Sequence, residues 1–351
     1  QCQQQCGGAI EVDRQDAISL EWNRIKAQCI ARCNSFGARV ESETADVRAK
    51  CYARQSASFS TAVRPMKITL LGTGSPVPST KRASSGYLIE IGGDVIVMDH
   101  GPGAFMRLME AGKRATDVTH VFLSHLHFDH CFDFLRLFHH RWDASGDHTP
   151  PLNVYGPPGT QMLVDRVFGP EGAFAPDLVS RTSHAQSKGA YRERGGTLPR
   201  PWPATGVTEM SGPGVVEGSG WRIVRREVPH FQPYLDSFGY RVEADGKVFA
   251  YTSDLNLTLP AAPPALRELV QDADVLVHYF NAFAFEARKG EFAGPRFAGE
   301  LARDANVKTL VTTHHGPWID ADGMRERMIA DLGAIYSGRI VWGEDLMSFS
   351  L

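Results

Sequence analysis

From Met66 onward, short apolar runs alternate with stretches whose apolar residues recur every three to four positions. Met66–Leu71 is a compact apolar run that stops at Gly72-Thr73-Gly74-Ser75-Pro76, which predicts a strand entering a tight turn. Gly86–Ile91 and Val95–Met98 flank Gly92-Gly93-Asp94 and read as a hairpin. Helix is expected over Phe105–Ala111, strand over Val118–Leu123, helix over Phe128–His140 and strand over Leu152–Tyr155. Pro158-Gly159-Thr160 then opens a helix to about Phe168. A second half repeats the alternation. Strands are expected at Trp221–Val228, Phe238–Glu243, Val248–Thr252, Val275–Val277, Val307–Thr312 and Ile340–Trp342, and helices at Ala265–Val270, Arg296–Asp304 and Gly323–Leu332. Two halves rich in strand and helix predict an α/β (α+β) fold, with two sheets face to face and helices outside.

Two regions break the pattern. Residues 169–220 are rich in Gly, Pro and Ser, and their periodicity fades, so a long loop or lid insertion is expected there. Eight Lys and Arg fall between Arg181 and Arg226, opposed by Glu193, Glu209 and Glu217. That segment reads equally as an attractor for an anionic substrate or as an ordinary solvated loop. Residues 1–60 form the other exception, an N-terminal helical extension. Asp16–Cys33 carries Ile18, Trp22, Ile25 and Cys29 on one stripe, and a second helical stretch covers about Ser42–Gln55. Cys2-x3-Cys6 and Cys29-x3-Cys33 have the spacing of one helix face, and antiparallel helices favour the pairings Cys2–Cys33 and Cys6–Cys29. A structural zinc held by the same four thiols is the rival, although such sites usually use tighter Cys spacing. Cys51 and Cys131 have no evident partner and read as buried thiols.

Composition narrows the classes. In 351 residues, 42% are hydrophobic and 22% charged, which excludes global disorder and allows a large core. The formal net charge is -3, so no basic field covers the surface, and nucleic acid is expected to be an unlikely partner. No apolar run reaches the roughly 18 residues of a membrane span. A chain starting at Gln1 with paired cysteines is expected to be secreted or periplasmic after removal of a signal.

Chemistry concentrates at Ser124-His125-Leu126-His127-Phe128-Asp129-His130, directly after an apolar strand and at the start of a helix. Three imidazoles and a carboxylate on such a turn can converge on one point, and a mixed N/O donor set suits zinc or a similar divalent ion. His125-x-His127-x-Asp129-His130 resembles the signature of the metallo-β-lactamase superfamily. Leu71-Gly72-Thr73-Gly74-Ser75, Met98-Asp99-His100-Gly101 and Tyr155-Gly156-Pro157-Pro158-Gly159 make the ribonuclease Z and arylsulfatase-like branch the nearest within it. The resemblance covers residues 66–351.

The resemblance implies an αββα sandwich with two divalent cations, zinc first and manganese or iron as alternatives. It implies that His125, His127 and His230 hold one ion, that Asp129, His130 and His314 hold the other, and that Asp254 bridges both. It places Asp99 behind a ligand histidine. Ser124 and Asp133 are weaker candidates for supporting roles. Asp129 and His278 would be catalytic, with a metal-bridging hydroxide as nucleophile. His278 is followed by Tyr279 where the ribonuclease Z branch has an acidic residue, which weakens the ribonuclease assignment. The reading therefore favours an arylsulfatase-like hydrolase of a small anionic or aromatic ester, with a phosphodiesterase or a lactonase as alternatives and a homodimer compatible with either. Phe280, Phe283, Phe285 and Trp318 are candidate pocket walls.

Overall fold

The computed structural model describes residues 65–204, 206–256, 259, 261–280 and 293–351. The expected N-terminal helices, with Cys2, Cys6, Cys29, Cys33 and Cys51, lie outside the described residues, as do Phe283 and Phe285.

Two seven-stranded mixed sheets form the centre. The first contains β1 (Lys67–Gly72), β2 (Gly86–Ile91), β3 (Asp94–His100), β4 (His120–Phe122), β5 (Asn153–Gly156), β6 (Thr208–Glu209) and β14 (Ser348–Ser350), in the order β14-β1-β2-β3-β4-β5-β6. The second contains β7 (Gly214–Gly218), β8 (Trp221–Glu227), β9 (Phe238–Ala244), β10 (Lys247–Tyr251), β11 (Val275–Tyr279), β12 (Thr309–Thr313) and β13 (Arg339–Trp342), in the order β13-β12-β11-β10-β9-β8-β7. Pairing is antiparallel from β14 to β3 and parallel from β3 to β6. The second sheet repeats this division, with β7 to β10 antiparallel and β10 to β13 parallel.

Both faces of each sheet are covered, which is why the central strands read as unbroken apolar runs rather than alternating ones. In β1, Ile68 and Leu70 face the second sheet, while Leu71 faces the outer helices. The layer between the sheets joins Ile89, Met98 and Phe122 to Tyr240, Phe249 and Val277. Each such buried aliphatic or aromatic side chain contributes about 1.5–3 kcal/mol relative to exposure. Helices α1 (Ala104–Glu110), α2 (Phe128–Ala144) and α3 (Thr160–Phe168) pack outside the first sheet through Phe105, Leu108, Phe134, Leu137 and Val164. Helices α6 (Pro264–Val270), α7 (Ala293–Asp304) and α8 (Met324–Gly333) cover the second through Leu266, Phe297, Leu301, Met328 and Leu332.

Residues 169–220, expected as a loop, instead hold α4 (Ala175–Ser183), α5 (Ala185–Glu193), β6 and β7. Each of these helices buries a single side chain, Leu178 or Tyr191, so no stripe exists for a periodicity to reveal. Five of the eight basic residues here are engaged internally. Arg181 lies 2.8 Å from both Asp143 and Asp177, Arg194 and Arg200 also meet Asp143, and Arg200 stacks over Trp142 at 4.0 Å. Arg222 pairs with Glu243, and Arg225 donates to the Gly212 carbonyl. This network favours an internal scaffold over a free cationic field.

No described helix is long and apolar enough to cross a membrane.

Candidate metal centre

Every strong donor sits at or just beyond the carboxyl end of a strand, where open α/β sheets place their ligands. Asp99 closes β3, the turn after β4 carries His125 and His127, and the first turn of α2 carries Asp129 and His130. The loops after β8, β10 and β12 supply His230, Asp254 and His314. Asp99, Ser253 and His314 take left-handed φ values of 52°, 57° and 63°. Such backbone costs about 1–3 kcal/mol per residue and persists only where the surroundings over-determine it. Gly101 is needed beside them, because a Cβ there would lie 1.8 Å from the Asp129 carbonyl oxygen.

The fold gathers seven residues into two clusters. His125, His127, His230 and Asp254 form one, and Asp129, His130, Asp254 and His314 form the other, with ligand atoms within 4.8 Å of one another in each. In the first, His127 Nδ1 lies 3.1 Å from His125 Nε2 and 3.2 Å from His230 Nε2. In the second, His314 Nε2 is 3.2 Å from both Asp129 Oδ2 and Asp254 Oδ2, and His130 Nε2 is 3.4 Å from Asp129 Oδ2 and Asp254 Oδ1. Asp254 Oδ2 also stands 3.8 Å from His230 Nε2, so one carboxylate serves both clusters.

These distances fit divalent cations. Donors about 2.0–2.1 Å from a tetrahedral ion stand about 3.3 Å from each other, close to the spacings observed. A proton on His127 can satisfy only one of its two close nitrogen contacts, whereas a central cation satisfies all three imidazoles. His130 Nε2 is fully buried and has no hydrogen-bond partner, although two carboxylates face it.

Electrostatics divides the clusters. Burial lowers the pKa of His125 far below the ordinary value and that of His230 to about 4, leaving neutral imidazoles with free lone pairs. Burial also disfavours charge in the second cluster, but there the neighbouring groups win. Asp254 is held well below the carboxylate range by His314 and His130, and Asp129 is lowered by the same pair. His314 rises to about 9, chiefly through Asp254 and Asp129 acting against its burial.

Asp99 is the hub behind these donors. Its Oδ1 accepts from the Ser124 amide at 2.7 Å, and its Oδ2 accepts from Ser124 Oγ and Tyr251 Oη at 2.7 Å. Asp99 Oδ2 also lies 2.8 Å from His130 Nδ1, which directs His130 Nε2 at the cluster. Ser253 Oγ donates to Ser124 Oγ, which also contacts His125 Nδ1 at 2.9 Å. Tyr251 and Ser253 carried no sequence signal beyond their place beside Asp254. Asp133 does not join the site; it caps α1 by accepting from the Gly103 and Phe105 amides.

His278 is not brought into either cluster. It stands at the end of β11, between the strands that deliver Asp254 and His314. Its ring stacks on Phe297 of α7 at 6.0 Å, and its Nδ1 lies 3.0 Å from Thr252 Oγ1. Burial alone lowers its pKa to about 3. Phe280 is fully buried against Trp342 and is no pocket wall, while Trp318 is partly buried on the same core. Cys131 is a buried free thiol.

A mixed β sandwich flanked by helices, carrying paired N/O donor clusters that share one carboxylate, defines a metal-dependent hydrolase class. A family profile described as "Beta-lactamase superfamily domain" matches residues 95–315. Ribonuclease Z of Mycobacterium marinum is 32% identical over 291 residues, covering 80% of this chain and 97% of that protein. Ribonuclease Z of Mycolicibacterium paratuberculosis is 31% identical over the same length, covering 80% and 96%. Among solved structures, the short form of human tRNase Z superimposes with a TM-score of 0.54 at 21% identity, covering 81% of this chain and 99% of that one. A diphosphatase of the PhnP family superimposes with a TM-score of 0.55 at 14% identity, covering 82% and 97%. The chain belongs to the metallo-β-lactamase superfamily, in its ribonuclease Z branch.

One expectation is overturned here. The mild net charge predicts against a nucleic-acid partner, yet the curated relatives spanning four-fifths of the chain are ribonucleases. Whole-chain charge is a poor guide because divalent cations held by these clusters would supply local positive charge that a count of side chains omits.

Proposed function

We propose that this protein is a phosphodiesterase of the ribonuclease Z type that cleaves RNA. The observation that carries the proposal is the sharing of Asp254 by two four-residue donor clusters, read together with ribonuclease Z relatives that align along nearly their whole length. These findings favour the phosphodiesterase alternative over the arylsulfatase-like reading. His125, His127 and His230 would hold one divalent ion, Asp129, His130 and His314 the other, and Asp254 both, with zinc preferred for the N/O donor set. When bound, such a pair supplies an activated water near neutral pH and polarises the non-bridging oxygens of the ester.

The chain's own groups complete the chemistry. Asp129, kept anionic, orients the attacking water. Asp99 keeps the His130 ring in one tautomer. His278 serves the leaving oxygen through Nε2, which is buried without a partner, and burial keeps the ring uncharged. That role suits a histidine followed by Tyr279 instead of the acidic residue of the ribonuclease Z branch.

The test is a panel of bis(p-nitrophenyl) phosphate, p-nitrophenyl sulfate, a γ-lactone and a single-stranded ribo-oligonucleotide, assayed on zinc- and manganese-loaded protein. Cleavage of the diester and the oligonucleotide ahead of the sulfate and the lactone is expected. Preferred turnover of the sulfate would overturn the proposal.

A further inference from the structure

Five aromatic side chains are exposed among the described residues: Phe128, Phe132, Phe174, Phe231 and Tyr234. Four of the five lie on the two segments that carry metal donors, namely the helix opened by His127 and the loop that follows His230. Scattered exposed aromatics need no explanation, but this concentration does.

Phe231 is the most telling of them. It is 56% exposed, yet its ring stands edge-on to the His127 imidazole at 5.2 Å and to the His230 imidazole at 4.6 Å. Its loop is pinned. The His230 amide donates to Gln232 Oε1 at 2.7 Å, Gln232 Nε2 donates to the Val228 carbonyl at 2.9 Å, and the Tyr234 amide donates to the Phe231 carbonyl at 3.0 Å. The Asn256 amide ties the same loop to the segment of Asp254 through the Pro229 carbonyl, at 2.8 Å. A fixed aromatic face in water, touching two metal donors, loses little side-chain freedom when a flat ligand covers it.

We propose that Phe231, with Tyr234 beside it, is a stacking platform for the nucleobase next to the scissile phosphate, so that the diester substrate is recognised as a nucleotide. The inference rests on the phosphodiesterase reading and names its substrate class. A phosphate held by the donor clusters brings the adjoining nucleotide within reach of the loop. Base–aromatic stacking is tolerant of sequence, because every base offers a π face. The platform would therefore select single-stranded nucleotides over simple alkyl diesters without reading a particular base.

The experiment compares thymidine 5′-(p-nitrophenyl phosphate) with methyl p-nitrophenyl phosphate, which share a leaving group and differ in the nucleoside. The expected result for Phe231→Ala is a fall of about ten-fold in the ratio of the two kcat/KM values, carried mainly by KM, with the ratio restored in Phe231→Trp. Tyr234→Ala, at a position 91% exposed and so without risk to folding, should lower the ratio less. A second readout needs no turnover: fluorescence polarisation of a labelled ribo-octamer and of its abasic counterpart on metal-free protein, where Phe231→Ala should weaken only the base-bearing strand. An unchanged ratio together with equal weakening of both strands overturns the platform. So does a Phe231→Ala/Tyr234→Ala variant that loses a wild-type dimer while keeping the ratio, since the face would then be a contact between copies. If wild-type protein cleaves neither diester, the phosphodiesterase reading fails, and the abasic comparison alone decides whether the platform stands.

Discussion

The two donor clusters differ in the work done to build them. The first is three imidazoles on two loops, with His127 half-buried and exposed Phe231 against it. The second lies wholly in the interior, set by the first turn of α2, a left-handed His314 and the Asp99 hub. Burial leaves the open cluster neutral, whereas the closed cluster keeps its carboxylates ionised because histidines on neighbouring elements face them. The lesson is that one shared side chain, Asp254, couples a site that a substrate can reach to a site that only the fold can organise.

Asp254→Ala should erase the distinction and have the largest effect. Loss of the common carboxylate removes several kcal/mol of charge stabilisation, so a drop of about 1000-fold or more in kcat/KM is expected, with metal content below one ion per chain. Retention of two tightly held ions by that variant, measured by elemental analysis after dialysis, would sink the shared-ligand geometry. His278→Ala comes next, because His278 stands outside both clusters: metal content should stay at the wild-type value while kcat falls about 100-fold. A parallel loss of metal would instead make His278 a structural prop.

Asp99→Asn should separate the clusters, since Asp99 reaches the closed one through His130 and the open one only through Ser124. Affinity for one ion is expected to weaken about 10- to 100-fold, while the other is held nearly as before, giving a two-step chelator titration. A uniform weakening of both ions would break the comparison.

The smallest effect concerns acid stability. His100 is buried with neither ring nitrogen bonded, and burial, aided by the Arg136 charge, lowers its pKa to about 3. The unfolded chain takes up this proton near pH 6.5, while the folded chain does so only near pH 3. Stability is therefore complete above pH 6.5 and falls as pH drops from there toward 3. His100→Leu should flatten that fall in a series of Tm measurements from pH 7 to 4.5; an unaltered slope would show that other groups control it.

Strands whose two faces are both covered appear as apolar runs, so β1 to β3 and β9 to β12 could be read close to their true bounds. The helices α4 and α5 could not, since Leu178 and Tyr191 are their lone buried positions, and β6 and β14 are too short for alternation to register. The preference for an arylsulfatase over a nuclease rested on net charge, on cysteines outside the described residues and on Tyr279. None of these reports on the donor clusters themselves.

The local half of this centre is legible in neighbouring residues. His125, His127, Asp129 and His130 fall within six consecutive positions, where a strand-to-helix turn alone sets their spacing. Long-range packing alone dictates that His230, Asp254 and His314 close on them, that Asp99 gathers Ser124, Tyr251 and His130, and that Phe231 stays in water beside two donors. The reason is one of range. Backbone sterics and periodicity act over a few residues, whereas contacts across more than one hundred positions form only when burial of the layer between the sheets outweighs the entropy of closing the chain around it.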